Sequence, residues 1–508
     1  MPISFNNIPA SWKIPLYYVE IDSSKAGLPI NRLPALLVGY KSTAKVASGA
    51  TVEIPIPIAS QAQADDQFGR GSMLSCMFRA YFANNWAGEV WALPTAEGSN
   101  AAHGTITVTG QPTAAGTLHL YIGGLHVPVA VSASELVADV ATAIVSAITA
   151  NADLPVTAGA VAGQVTLTCK WKGTTGNDIL MSDNYYGVTG GEGMPAGLTL
   201  TYSPLASGAG DPSFATAISN LGETPVEYVC VPFTDSNSLN LWKTELGFGD
   251  TGRWGWIRQL YGHLFSAVRN DVGPLQVFGG TTHNSAQLSA LGVELLAPSP
   301  VWEWAAAYTA KAARCLAIDP ARPLQSLHLE GILPAKGQDL FTISELNTLA
   351  SSGIATQRTF SDNIPTIARE TTTSTRNLYG NTDDAYEVVT TLATLARLLR
   401  NQRQAITSKY PRHKLADDGT RFGAGQAIVT PKIIKAELVA QYRIDEFNGL
   451  VENGAAFKAN LIVERDANDV NRVNVLYPPD LVNQLRVFAV LAQFRLQFNR
   501  GLDALTAA

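Results

Sequence analysis

Seven histidines, four cysteines and the aspartate pairs Asp383-Asp384 and Asp417-Asp418 are the groups in this chain weighed first for chemistry. The histidines are His103, His119, His126, His263, His283, His328 and His413, and no HExxH or HxH spacing joins them. His119 and His126 flank a Gly123-Gly124 turn and could face each other across a hairpin. A solvated or core-satisfied imidazole is the expected reading there, so no metal is expected. Gly247-Phe248-Gly249-Asp250-Thr251-Gly252 matches G-x-G-x-x-G. A dinucleotide fingerprint needs a strand before the loop and a helix after it. Here the helix-like LNLWKTEL precedes, so a surface turn is expected and no cofactor. No G-x-S-x-G elbow is present, and Gly71-Ser72-Met73 lacks the surroundings of a serine nucleophile. Asp383-Asp384 suits a helix N-terminus, and Asp417-Asp418-Gly419-Thr420 a turn. Cys76, Cys169, Cys230 and Cys315 are far apart, form no CxxC and read as buried reduced thiols. These groups together predict a protein that is not an enzyme.

The elements around them are of several kinds. Trp12, Ile14, Leu16 and Tyr18 alternate with Lys13, Pro15 and Tyr17, which predicts an extended arm over residues 1–22. Residues 34–39 read as a short buried strand, 67–83 as a helix and Glu89–Leu93 as a further strand. From about Ala96 to Gly210 the chain is rich in Gly, Thr, Ala and Val. GTITVTG, GTLHLYI, HVPVAV, QVTLT and LTLTY are its strands, with a Gly-Gly hairpin between the second and third. Ser132 and Glu135 match a capping box ahead of a helix bearing Val137, Val140, Ile144 and Ile148 on one face. This segment is expected to be a sandwich-like β-rich domain inserted into a larger fold.

Strands and helices then alternate. Val226–Val231 is apolar throughout, as in a strand buried on both faces. A helix carrying Leu239, Trp242 and Leu246 follows, then strand candidates at Leu275–Phe278 and Val293–Leu296. Val301–Ile318 is a helix stopped at Asp319-Pro320. Further on, a helix over 384–408 capped by Thr382 or Asp383, a helix opened by Pro431, and strands in ANLIVER and RVNVLY make an α+β unit. Residues 485–508 end in the alternating AQFRLQF. The fold class is therefore α+β and multidomain. A discontinuous α/β core (23–96 and 209–360) carries the insert (97–208), followed by an α+β C-terminal domain (361–484) and a C-terminal strand or arm (485–508).

Composition narrows the partners. The 508 residues are 46% hydrophobic and 15% charged, enough apolar material for several cores and too little charge for disorder. With 36 Lys plus Arg against 42 Asp plus Glu, the net charge is −6, and no nucleic acid partner is expected. The N-terminal residues lack a signal-peptide pattern and no run of 18 apolar residues occurs, so no membrane insertion is expected. Two apolar, alternating ends suit either pairing within their own domains or addition to a neighbour's sheet.

The chain resembles contractile phage tail sheath proteins, most closely those of Mu-like phages. Carrying the resemblance are Trp302–Ile318 with Asp319-Pro320-Ala321-Arg322-Pro323-Leu324, and Ser351-Ser352-Gly353-Ile354-Ala355-Thr356. Ala368-Arg369-Glu370-Thr371-Thr372-Thr373 and the run from Tyr410-Pro411-Arg412-His413 to Gly419 follow. Gly449–Asn453, Leu461–Arg465 and PPDLVNQLRVFA from Pro478 complete the series, and the insert also looks like that family. The resemblance implies a structural subunit that forms a homo-oligomer of stacked six-fold rings around a tail tube protein. It also implies baseplate and tail terminator partners, and contraction that drives the tube through the host envelope. Assembly in the host cytoplasm and residence in the virion go with it, as does an α/β domain likened to the subtilisin fold. No protease motifs accompany that likeness, so it is architectural only. The arm residues expected to link subunits are Trp12, Ile14, Leu16 and Tyr18, and Phe494, Leu496 and Phe498. Arg397, Arg400 and Arg403, read as lying opposite the apolar face of the 384–408 helix, are the expected contacts to an acidic tube surface. The competing reading is a virion adhesin or carbohydrate-binding protein that uses the β-rich insert.

Overall fold

The computed structural model describes residues 33–45 and 47–494. The fold is mixed α+β, built on a six-stranded sheet. Its order is Leu288–Val293, His263–Arg269, Tyr228–Cys230, Ala35–Tyr40, Val90–Thr95 and Ile56–Pro57. The first five strands run parallel, and the two-residue Ile56–Pro57 edge is antiparallel. Every residue of Ala35–Tyr40 is buried, because helices cover both faces of a parallel sheet. Phe265 meets Tyr308 of the helix Val301–Ile318 edge-to-face at 5.1 Å. Its neighbour Leu264 points to the other face and shares a small cavity with Trp242 and Leu246 of the helix Ser236–Leu246.

Three local expectations are corrected. The single helix over 67–83 is two helices, Gln61–Phe68 and Met73–Asn84. Between them Gly71 takes φ +76°, where a Cβ would lie 2.3 Å from the Leu154 carbonyl oxygen, and Ser72 caps the second helix. Leu275–Phe278 is helical: Val272–Gln276 forms a turn with Pro274 near its start, where the missing N–H is harmless, and Val277–Thr282 continues it. The strand of that region is instead His263–Arg269, whose His263 and Ser266 are buried polar groups that break the apolar pattern. The next strand is Leu288–Val293, ending where Val293–Leu296 was expected to begin.

Residues 101–206 fold into two antiparallel sheets. One is ordered Leu200–Ala206, Ala101–Val108, Gln164–Lys172, Val156–Val161. The other is ordered Leu125–Val131, Gly116–Ile122, Met181–Asp183. Gly123 and Gly124, at φ +56° and +78°, make the tight turn that the pair predicts. Glu135 accepts from the Ser132 backbone N–H at 2.7 Å, but only half of the capping box forms. The helix begins later, at Val137–Ala150, and buries Val140, Ile144 and Ile148. Chain entry and exit lie side by side, with the Ser99 N–H donating to the Ala209 carbonyl at 2.8 Å. Trp171 packs edge-to-face on Trp302 at 5.4 Å, so the core of these sheets continues into that of the central sheet.

The last part has its own core of Leu398, Ile434, Leu438, Tyr442, Leu450, Phe457 and Leu461. Its long helix is Val389–Lys409, starting five residues later than expected and without a side-chain cap. Pro431 opens the helix Pro431–Phe447, capped by Thr430. Ile462–Arg465 and Val473–Leu476 form a two-stranded antiparallel hairpin. Cys76, Cys169 and Cys230 are buried, Cys315 is half-buried, and all four are free thiols. Among the described residues no helix is long and apolar enough to cross a membrane.

Candidate inter-subunit surface

The surface with most to offer a neighbour lies where the chain leaves its fold. After the hairpin, the strap from Pro478 runs back across the molecule. The Glu452 N–H donates to the Asp480 carbonyl at 2.9 Å, and Leu481 bridges Val451. Gln484 donates through Nε2 to the Ala321 carbonyl at 2.8 Å and to Thr390 Oγ1 at 2.6 Å. Arg486 then grips Glu370 in a bidentate pair, Nη1 to Oε2 at 3.1 Å and Nη2 to Oε1 at 2.5 Å. Glu370 is fully buried, so this ion pair fixes the point of departure rather than decorating the surface.

Beyond the clamp the character changes. Val487, Phe488, Val490, Leu491 and Phe494 are all exposed, Phe494 by 84%. Residues 483–494 pair with no strand among the described residues. Such an apolar, unpaired stretch is a template for another chain. Of the expected arm residues, Phe494 lies on it. Trp12, Ile14, Leu16, Tyr18, Leu496 and Phe498 lie outside the described residues.

The hairpin supplies a complementary feature. The Asp466 N–H bonds the Arg472 carbonyl, so in the register Arg465↔Val473, Glu464↔Asn474, Val463↔Val475 the bonded pairs alternate. By that alternation Val473 and Val475 turn their backbone groups outward, as do Val463 and Arg465 on the other edge. Neither edge meets another strand among the described residues. A two-stranded sheet is marginal unless packed or extended. Beside it runs an open groove of about 630 Å³ walled by Trp254, Trp256, Tyr261, Ile406, Val473 and Val475.

The three arginines do not form a solvent-facing stripe, which corrects the reading of the helix. Arg397 Nη2 donates to the Ala317 carbonyl at 2.7 Å. Arg400 pairs with Glu227, Nη1 to Oε1 at 3.1 Å, and lies 4.8 Å over the Tyr261 ring. Only Arg403 is exposed, at the rim of the groove. The reason is that Val389–Lys409 lies between two cores. Val389 joins the central one and Leu398 the last one, so the side left over on a helical wheel is a joint.

Gly247–Gly252 forms tight turns after the helix Ser236–Leu246, and the following Arg253 is buried on Glu245, with Nε to Oε1 at 2.7 Å. Sequence reasoning missed the pairs Arg486–Glu370 and Arg400–Glu227, and the clustering of Glu192 with His119 and His126. The first carried a signal. Glu370 stands in the Ala368–Thr373 motif and Arg486 in the run from Pro478, and the two motifs meet in space. Asp319–Leu324 and Gly449–Asn453 meet the same strap through Ala321 and Glu452.

Comparison with known proteins agrees with this arrangement of motifs. The profile of the phage tail sheath protein central domain matches residues 207–373, and that of the phage tail sheath C-terminal domain matches residues 381–495. The Mu-like prophage FluMu tail sheath protein of Haemophilus influenzae is 41% identical over 501 residues, covering 98% of this chain and all of that one. Among solved structures, a sheath tail protein of Desulfitobacterium hafniense superposes with a TM-score of 0.46 at 11% identity, covering 92% of this chain and 100% of that one. The helical sheath of the anti-feeding prophage in its contracted state gives 0.44 at 12% identity, covering 96% and 99%. Near-full-length identity to a Mu-like sheath protein, with both sheath domains in order, makes this chain a member of the Mu-like phage tail sheath family.

Proposed function

We propose that this sheath protein polymerises as stacked six-fold rings around a tail tube and contracts to drive the tube through the host envelope. In this reading its neighbours are linked by strand exchange of the N- and C-terminal arms. The observation that carries the reading is the segment 487–494, apolar and exposed, leaving a fold that holds it by a buried ion pair at Arg486. The open hairpin edges supply sites to which an extended arm can add through main-chain hydrogen bonds. Such links survive while other interfaces are broken and remade. A modest free-energy difference per subunit, repeated along the lattice, then gives a one-way stroke powered by assembly.

In the same reading the chain divides into an arm over 1–22, a discontinuous α/β core at 23–96 and 209–360, and an inserted domain at 97–208. A C-terminal domain at 361–484 and an arm over 485–508 complete it. The tube, baseplate and tail terminator proteins are its partners, the virion tail its place and the host cytoplasm its site of assembly. Arg403 is the remaining candidate for a tube contact.

Deletion of residues 490–508 tests the linkage, because it keeps Gln484 and Arg486 in place. The truncated chain is expected to show the full-length circular dichroism spectrum and to form no tubes by negative-stain microscopy. Tubes of normal length from the truncated chain would sink the arm mechanism. Arg403→Glu is expected to leave free subunits unchanged and to weaken assembly on isolated tubes. Unchanged co-sedimentation with tubes removes Arg403 from the contact.

A further inference from the structure

The hairpin Gly116–Ile122/Leu125–Val131 carries a side-chain cluster that lies outside the strap and hairpin surface described above. In its register Tyr121 faces His126 and His119 faces Pro128, so His119 and His126 are diagonal neighbours on one face of the sheet. Their rings stack nearly parallel, with His119 Nδ1 and His126 Nε2 only 3.0 Å apart. The loop after Met181–Asp183 folds over them, tied by the Asn184 N–H to the His119 carbonyl at 2.8 Å. It delivers Glu192, whose carboxylate is buried and lies 3.8 Å from His119 Nδ1.

That carboxylate is held from two sides, by the Tyr121 hydroxyl and by the Tyr186 N–H at 2.8 Å. Burial alone would push it up. The bonds from Tyr121 and Tyr186, with the two histidines beside it, hold it below the usual glutamate range. Lys336 is the nearby cation, but its ammonium sits over the Tyr185 and Tyr186 rings at 3.9 and 4.3 Å and donates to the Tyr185 carbonyl.

The geometry points to a divalent transition-metal site of the zinc class, with His119 Nδ1, His126 Nε2 and a Glu192 oxygen as ligands. These ligand atoms all lie within 4.8 Å of one another. Tetrahedral zinc with bonds of about 2.0–2.1 Å places its ligand atoms roughly 3.3 Å apart, between the 3.0 Å that separates the two nitrogens and the 3.8 Å from His119 Nδ1 to Glu192. Two nitrogens and one oxygen suit zinc, whereas calcium and magnesium want oxygen alone. The exposed side of His126 leaves a fourth position open to solvent. An ion there joins the hairpin to the 184–192 loop, and through the Tyr185 hydroxyl bonded to the Pro334 carbonyl at 2.9 Å it reaches the central part of the chain.

The test titrates the full chain with Zn²⁺ against a chromophoric chelator and records the visible spectrum with Co²⁺. One ion per chain is expected, with Co²⁺ bands of tetrahedral intensity. His126→Ala should weaken binding by at least about tenfold, since even groups behind the ligands change affinity by 10–100-fold. Because His126 is exposed, that variant keeps its fold, and Glu192→Gln gives a second reading. His103→Ala, on a neighbouring sheet, should leave binding unchanged. No stoichiometric binding at millimolar Zn²⁺, or binding that His126→Ala leaves intact, overturns the site. In that case the two imidazoles share only a hydrogen bond.

Discussion

Arg397, Arg400 and Arg403 lie within two turns of one helix and meet three different environments. Arg400 and Glu227 are both largely buried, and removing one partner of such a pair leaves an uncompensated charge. Arg403 has no such constraint. At the same scale Glu294 is a buried carboxyl at the end of the strand Leu288–Val293, with both oxygens accepting from Gln357 Nε2 at 2.8 Å. Burial pushes it up to about 7, more than the backbone N–H groups of Glu294 and Phe341 and the Gln357 amide together pull it down. Its folded value exceeds its unfolded one. The stabilisation from the neutral carboxyl is therefore complete below about pH 4.5 and is lost as pH rises through 7, at a cost of about 3 kcal/mol. Glu294→Gln should flatten this part of the profile. Urea midpoints of the variant and the parent chain should diverge between pH 4.5 and 8, with the variant gaining at the higher pH. Parallel curves would show that the carboxyl ionises without penalty.

At the scale of elements, the hairpin Ile462–Arg465/Val473–Leu476 is the piece most dependent on something added to it. Val475 is opposite Val463 in a non-bonded pair, so its N–H points away from the hairpin. Val475→Pro removes that outward donor and leaves the internal bonds of the hairpin intact. Lowered yield of linked tubes with unchanged subunit stability is expected, read by microscopy beside thermal unfolding. If the tubes are unaffected, arms do not add at that edge. Elements were legible where one period dominated. Val301–Ile318 has its expected bounds, because its apolar face, N-terminal Pro300 and terminating Asp319-Pro320 agree. Leu275–Phe278 failed because four apolar-rich residues suit helix or strand equally, and only packing decides. His263–Arg269 was passed over because its buried polar groups, His263 bonded to Ser289 among them, hide the pattern of a core strand.

For the whole molecule, the class of fold, most of the regular elements and, through ordered motifs, the family were legible in the residues alone. These are local or cumulative properties: periodicity, turn chemistry, composition and motif order need no knowledge of what meets what. Tertiary structure decided the rest. It turned Arg397 and Arg400 inward because their helix is shared by two cores, which a wheel drawn on one helix does not register. It joined Glu370 to Arg486 across 116 residues, making an anchor from two unremarkable charges. It brought Glu192 to His119 and His126 through a loop whose path no short-range pattern specifies. Ion pairs and ligand sets depend on separations of a few ångströms between distant segments, and only the packed chain sets those distances.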